Sequence, residues 1–340
     1  MDARRVQAWI AVVAGLALTG VLLVAGSAMA ETPPDATVSQ DVGAAAAWSS
    51  GWVFVPPGTS QTFTHNLGGN PGNYGVDLMF WDNDWGYNRA YYGGYENNGT
   101  WLGANWQNLT PNTIEVNRQP DDTTADWVRV TVWPLPTPHD YDSGWTPINP
   151  GQTLHFTHNV GGPLADLTVG LWFSGTARGI NQYAYGGLDD DLLNDSLGAS
   201  WEKLTINTVD AYRWWDDSNA EQVRVMVGRT DPPDFDSGYQ NIAAGGAHTI
   251  THGLRWYPGM LRVRGDCNDD TYGAGINGVV LGGNHRATGM GSYEEGAYIR
   301  NLTAMSITVV RGVDDWHCSQ GRVRIWKWAA YVYLPAVQKQ

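Results

Sequence analysis

A chain of 340 residues with a formal charge of −14 at pH 7 is a poor partner for nucleic acid or an anionic membrane, because the phosphate contacts that dominate such binding would be repulsive. Neutral ligands or cations are favoured. With 42 Gly, 18 Trp and 16 Tyr against 6 Phe and 7 Met, the chain is turn-rich and carries more amphipathic aromatics than a core demands, so some rings are expected at wet faces.

Residues 1–30 read as a signal peptide, with a basic start at Arg4 and Arg5, an apolar run from Ala8 to Gly26, and Ala28-Met29-Ala30 ahead of Glu31. Export follows from that reading, and an uncleaved membrane anchor is the alternative. Residues 31–47 are a flexible lead-in without periodicity. A threefold internal repeat then divides the chain into units at 48–138, 139–234 and 235–328, with a tail at 329–340.

Each unit opens on Ser50-Gly51-Trp52, Ser143-Gly144-Trp145 or Ser237-Gly238-Tyr239 and passes a Gly-bearing turn at Pro57-Gly58, Pro150-Gly151 or Gly245-Gly246. The strand that follows ends in His65, His158 or His252. Each histidine shares a side with Phe63, Phe156 or Ile250, which reads as a core residue whose ring nitrogens are tied to the backbone, with a ligand or catalytic role as the alternative. A proline turn (Pro71, Pro163, Pro258) leads into a third strand, such as Val76–Phe80 or Leu167–Leu171.

Beyond that strand the copies diverge. They keep Gly86-Tyr87-Asn88, Gly179-Ile180-Asn181 and Gly275-Ile276-Asn277, and then Gly93-Gly94, Gly186-Gly187 and Gly282-Gly283. The first copy loads this region with Trp81, Trp85, Tyr87, Tyr91, Tyr92, Tyr95 and Trp101; the second places Asp189, Asp190, Asp191 and Asp195 there. Flat rings beside carboxylates suit a sugar, whose C–H face stacks while its hydroxyls hydrogen-bond, and they equally suit a protein contact.

The units close on Asn108-Leu109-Thr110, Lys203-Leu204-Thr205 and Asn301-Leu302-Thr303. Because Lys203 replaces the sequon asparagine in the middle copy, this run reads as turn and strand entry rather than as a glycan acceptor. Next comes an expected hairpin. Arg118 and Arg129, Arg213 and Arg224, and Arg311 and Arg322 frame the acidic pairs Asp121-Asp122, Asp216-Asp217 and Asp314-Asp315. Thr113–Val116 and Val128–Val132 alternate with period two, so each strand should have one buried and one wet face. The acidic pair then lies in the connecting loop, either as turn chemistry paired with the arginines or as a presented polar site.

Cys267 and Cys318, the only cysteines, both fall in the third copy; an exported chain can join them as a disulfide, with two buried free thiols as the alternative. The spacers Pro134–Pro138 and Asp231–Pro233 are short and stiff, so neighbouring units should pack against one another within the chain. The tail Tyr331–Val337 resembles the Tyr-Leu-Pro ending of many secreted bacterial proteins, or is a terminal edge strand.

The order Ser-Gly-Trp, strand, His before a Pro turn, apolar strand, Asn-Leu-Thr, polar loop and Val-Arg-Val or Val-Arg-Ile with Trp326 is similar to the H-type lectin domain. The resemblance implies an all-β fold of three tandem antiparallel β-sandwich domains, and the trimeric habit of that family implies packing about a pseudo-threefold axis. It also implies ligand groups in the Arg–Asp loop. Those are Arg118, Asp121 and Asp122 in the first copy, Arg213, Trp214, Trp215, Asp216 and Asp217 in the second, and Arg311, Asp314, Asp315, Trp316 and His317 in the third. The first copy has no loop aromatic before Trp127.

The expected function is a secreted, multivalent carbohydrate-binding protein that takes glycans or polysaccharide. The alternative is a non-catalytic adhesive surface protein. No enzyme activity is expected, since triplication suits a repeated site better than one catalytic geometry and no familiar catalytic motif occurs. No cofactor is required. Calcium is the one cation that the oxygen-rich runs Asp82–Asp84, Asp189–Asp195 and Asp266–Asp270 could take, although none has EF-hand spacing.

Overall fold

Alternating apolar residues become strands throughout, joined by turns and three short 3-10 segments, in a computed structural model that describes Pro33 and residues 48–97, 100–135, 139–187, 197–229, 232–269, 273–282, 284–288 and 291–327. The signal-peptide and tail expectations, most of the lead-in, Pro136–Pro138, Asp231, Asp270 and the acidic run Asp189–Asp195 lie outside the described residues. The described residues belong to one compact unit. Among the described residues, no helix is long and apolar enough to cross a membrane.

Each repeat contributes two antiparallel sheets. In the first, Trp127–Pro134 pairs with Tyr74–Asp82 on one side and with Trp48–Ser49 and Val53–Phe54 on the other, and Gly86–Asn88 extends the far edge. A second sheet runs Ser60–Thr64, Thr113–Arg118, Ala104–Gln107. The other repeats copy both sheets strand for strand. Short two-stranded ribbons, Tyr95–Asn97 with Thr100–Leu102 and Asn284–Thr288 with Gly291–Glu295, are added in the first and third.

This pairing corrects the hairpin. Thr113–Arg118 and Trp127–Pro134 are consecutive but belong to different sheets, so the Arg–Asp loop is a crossover between them. Thr113–Arg118 does alternate, with Ile114 and Val116 buried. Trp127–Pro134 does not: Arg129 and Thr131 are buried along with Val128, Val130 and Val132. Its second face meets protein rather than water.

The expectation of three tandem β-sandwich domains is likewise overturned: the small sheets are the blades of a six-bladed β-propeller. No repeat completes a core from its own residues. Trp172 and Met226 of the second repeat sit in the first core among Leu78, Phe80 and Trp106. Trp52, Met79, Trp81 and Tyr87 of the first repeat sit in the third core, and Ile276 of the third packs on the second. A fully buried large side chain contributes about 1.5–3 kcal/mol, so the rings that cross between repeats help to hold the ring shut.

Backbone hydrogen bonds close that ring with one repeating pattern. Leu109 N donates to Ile180 O at 3.2 Å, Leu204 N to Ile276 O at 3.0 Å, and Leu302 N to Tyr87 O at 3.1 Å, linking first to second, second to third and third to first. The residue before each leucine, Asn108, Lys203 or Asn301, adopts φ near +50°, a left-handed corner that asparagine tolerates better than most residues. The Asn-Leu-Thr run is therefore a seam between repeats. A second seam joins Ala184 N to Gly93 O (3.0 Å), Val280 N to Gly186 O (2.8 Å) and Tyr91 N to Gly282 O (2.6 Å). A Cβ on Gly93 would lie 2.5 Å from Tyr185 N, which is why glycine recurs there.

Cys267 and Cys318 form a disulfide, with Cα atoms 4.8 Å apart. Cys267 stands in its strand opposite Gly321, as Phe80 stands opposite Val128 and Phe173 opposite Val223. In the loop, Cys318 takes the place of Ala125 and Ala220. The third repeat thus replaces a buried Phe–Ala contact with a covalent bond.

Candidate ligand-binding site

The Arg–Asp loops are built alike, and most of their polar atoms are already spent. Arg118 Nε donates to Asp122 Oδ2 at 2.8 Å, Arg213 to Asp217 at 2.9 Å and Arg311 to Asp315 at 2.8 Å. A second guanidinium nitrogen of each binds the backbone oxygen of its own aspartate, and a third binds Val55 O, Ile148 O or Ile242 O across the sheet. The other carboxylate oxygen accepts from Gly103 N, Gly198 N or Gly296 N at 2.8–2.9 Å. Asp122, Asp217 and Asp315 are buried. The pair fixes the crossover between two blades, and burying both charges is tolerable only because every strong donor and acceptor is matched.

The first aspartates lie nearer the surface. Asp121 Oδ2 accepts from Trp101 N at 2.9 Å and Asp314 Oδ2 from Glu294 N at 3.0 Å, while Asp216 is exposed. The structure brings each arginine to its second aspartate, and each such pair closes within its own repeat.

The two tryptophans of the second loop part company. Trp214 is 9% exposed and packs edge-on to Tyr212 at 5.0 Å, with Val279 and Val280 of the third repeat beside it. Trp215 is 67% exposed. It lies on the turn that precedes the histidine strand: a Cβ on Gly151 would fall 2.3 Å from its six-membered ring, and Gly151 N donates to Arg213 O at 2.9 Å. One face of the indole is thus seated on backbone while the ring remains open to solvent beside exposed Asn149, Pro150 and Asp216. The same seat exists in the other repeats, occupied by Pro120 over Gly58 and by Val313 over Gly245. The Gly-bearing turns read as turn chemistry in the sequence; each lies under the residue two positions after its framing arginine, Pro120, Trp215 or Val313, and that recurrence marks the turns as seats.

In the third loop Trp316 is 44% exposed. His317 is half-buried, and its backbone N–H donates to Asp315 Oδ1 at 3.2 Å.

Most first-repeat aromatics proposed for a sugar groove face other repeats instead. Trp81 and Tyr87 are in the third core, and Tyr91 and Trp85 stack with Tyr298 at 6.0 and 5.3 Å. Tyr92 hydroxyl donates to Gln182 Oε1 of the second repeat at 2.6 Å. Trp101 is half-buried, and the Tyr95 side chain lies outside the described residues.

The repeated histidines are held as core residues. Nδ1 of His65, His158 and His252 accepts from Leu67 N, Val160 N and Leu254 N at 3.2–3.3 Å. Burial lowers the pKa of all three, which preserves that acceptor.

The oxygen-rich runs do not converge where they are described. Asp82 Oδ1 accepts from Asp84 N and Trp85 N at 2.7 and 2.9 Å, its Oδ2 accepts from Asn88 Nδ2 at 2.9 Å, and burial pushes its carboxyl up to about 7. Asp266 accepts from Arg324 at 2.6 Å. Among the described residues no group of three or more His, Cys, Asp or Glu is placed to hold a metal.

In comparisons with known proteins, no family model and no curated protein matches the chain.

Proposed function

We propose that the protein is a secreted, non-catalytic carbohydrate-binding protein whose principal platform is Trp215, with Trp316 as a second. The observation that carries this reading is the pairing of an indole seated on Gly151 with 67% of its surface left open. Proline or valine fills the same seat in the other repeats, so the seat does not require an indole, and stacking on a sugar's C–H face is what such a solvent-facing ring does well. Asp216 and Asn149 stand beside it as polar partners for hydroxyls. The disulfide fits an oxidising compartment. Two weak platforms on one ring would gain avidity on a polymer or cell surface. The reading invokes no cofactor.

A second reading, adhesion through protein contact, is favoured by the exposure of Trp215, since an open apolar ring also suits a protein partner. A glycan screen of the purified protein separates the two. Carbohydrate binding requires hits that compete with free sugar, whereas a screen without hits would remove the sugar reading and leave adhesion.

A further inference from the structure

In a chain with a formal charge of −14, positive charge gathers where the three repeats meet. Arg89 of the first repeat and Arg262, Arg264 and Arg324 of the third interact electrostatically with one another. The second repeat contributes Leu167 O, which accepts from Arg324 at 2.9 Å, and Tyr185, whose hydroxyl is close enough to act on Arg264. Among the described residues two carboxylates answer these four guanidiniums, and each is already engaged: Asp77 with Arg89, and Asp266 with Arg324 at 2.6 Å. Two positive charges are left over.

The surplus charges have poor partners. Arg262 lies over the rings of Trp133 and Trp326, at 5.1 and 5.5 Å. The Arg264 guanidinium has no hydrogen bond or ion pair to any described residue. The Nε groups of Arg89 and Arg324 are buried without an acceptor, and so is Asp77 Oδ2 without a donor.

Position explains the imbalance. Arg264 stands opposite Arg324 in the strand register, where the first repeat has Asp77 opposite Thr131 and the second has Gly170 opposite Met226. The three equivalent strands therefore present a carboxylate, no side chain and a guanidinium. Arg264 and Gly170 both lie in mid-strand and keep part of their surface open to solvent. Burial first, and then the neighbouring arginines, lower the pKa of Arg262 against the opposing pull of Asp77, and burial lowers that of Arg264. A guanidinium nevertheless keeps its proton at neutral pH, and an uncompensated buried charge is costly.

We propose that this central cluster binds a small oxyanion of the sulfate or phosphate kind, with Arg264 as its main ligand and Arg89 and Arg262 alongside. Guanidinium groups grip such ions through paired N–H donors, and the bound charge would cancel the surplus. The site is independent of the sugar platform.

The test compares the full-length protein with its Arg264→Gln variant by calorimetry in chloride, then with millimolar sulfate or phosphate at matched ionic strength. Sulfate or phosphate should raise the wild-type Tm by about 2–4 °C and leave the variant unmoved. In chloride alone the variant should melt no lower than the wild type, because the unpaired charge is gone. Equal shifts in both proteins, or none in the wild type, would overturn the proposal. Should the variant not fold, crystals of the wild type grown with selenate decide the matter. An anomalous peak within hydrogen-bond reach of the Arg264 guanidinium supports the site, and peaks only elsewhere refute it.

Discussion

The loops after Arg118 and after Arg213 share one frame and differ in what they place on it. Both lock an arginine to the second aspartate of a pair and tie both to the same backbone groups. Over the preceding glycine turn, one loop lays Pro120 and the other Trp215. What recurs three times is scaffold, and the position that varies over the scaffold is where a ligand would be met. A conspicuous charged motif can thus be spent on structure while the residue two positions on stays open to solvent.

The sharpest way to break this comparison is to attack the frame itself. Arg213→Ala leaves Asp217 buried without its cation and should cost about 3–5 kcal/mol in guanidinium unfolding. Arg118→Ala should cost a similar amount even though its loop has no exposed aromatic. If Arg213→Ala proved nearly neutral, the pair would be free for a ligand after all. The third repeat offers a gentler break: Cys267→Ser with Cys318→Ser should lose about 2–5 kcal/mol. Cys267→Phe with Cys318→Ala, which installs the residues of the other two repeats, should recover part of that loss. Failure to recover any would mean that the three frames do not share one packing solution.

A smaller effect sits in the three histidines, which serve all repeats equally. Their folded pKa values lie below the ordinary 6.5, so the unfolded chain takes up protons first as the pH falls. Their contribution to stability is therefore present above pH 6.5 and is lost as the pH drops through their folded values. A Tm that declines on acidification below that point, and declines less after His158→Gln, would agree. A flat profile would not.

Much of the fold was legible because strands announce themselves by alternation. Thr113–Val116 was readable in that way; the strand at Val76–Phe80, the structural histidines and the disulfide were readable from repeat position, core-side neighbours and cysteine count. Which sheet a strand joins was not readable, since period two says nothing of the partner; hence the crossover after Arg118 looked like a hairpin. Contacts between repeats were equally hidden. Arg129 and Thr131 occupy the face that alternation assigns to water, and Trp81 and Tyr87 look surplus within their own repeat, yet all four are buried in the assembled ring. Of the loop tryptophans, the sequence pattern could not say that Trp214 turns into a seam and Trp215 away from it. That difference rests on Gly151, which offers a seat to only one of them.

The most direct trial of the account is a calorimetric titration of a glycan selected by the screen into the wild type and into Trp215→Ala, with unfolding measured on the same samples. Binding should weaken by tenfold or more in the variant, the ~1.4 kcal/mol expected for one stacking ring, while stability stays within about 0.5 kcal/mol. Undiminished affinity in Trp215→Ala, or a large loss of stability, would contradict the division between scaffold and platform.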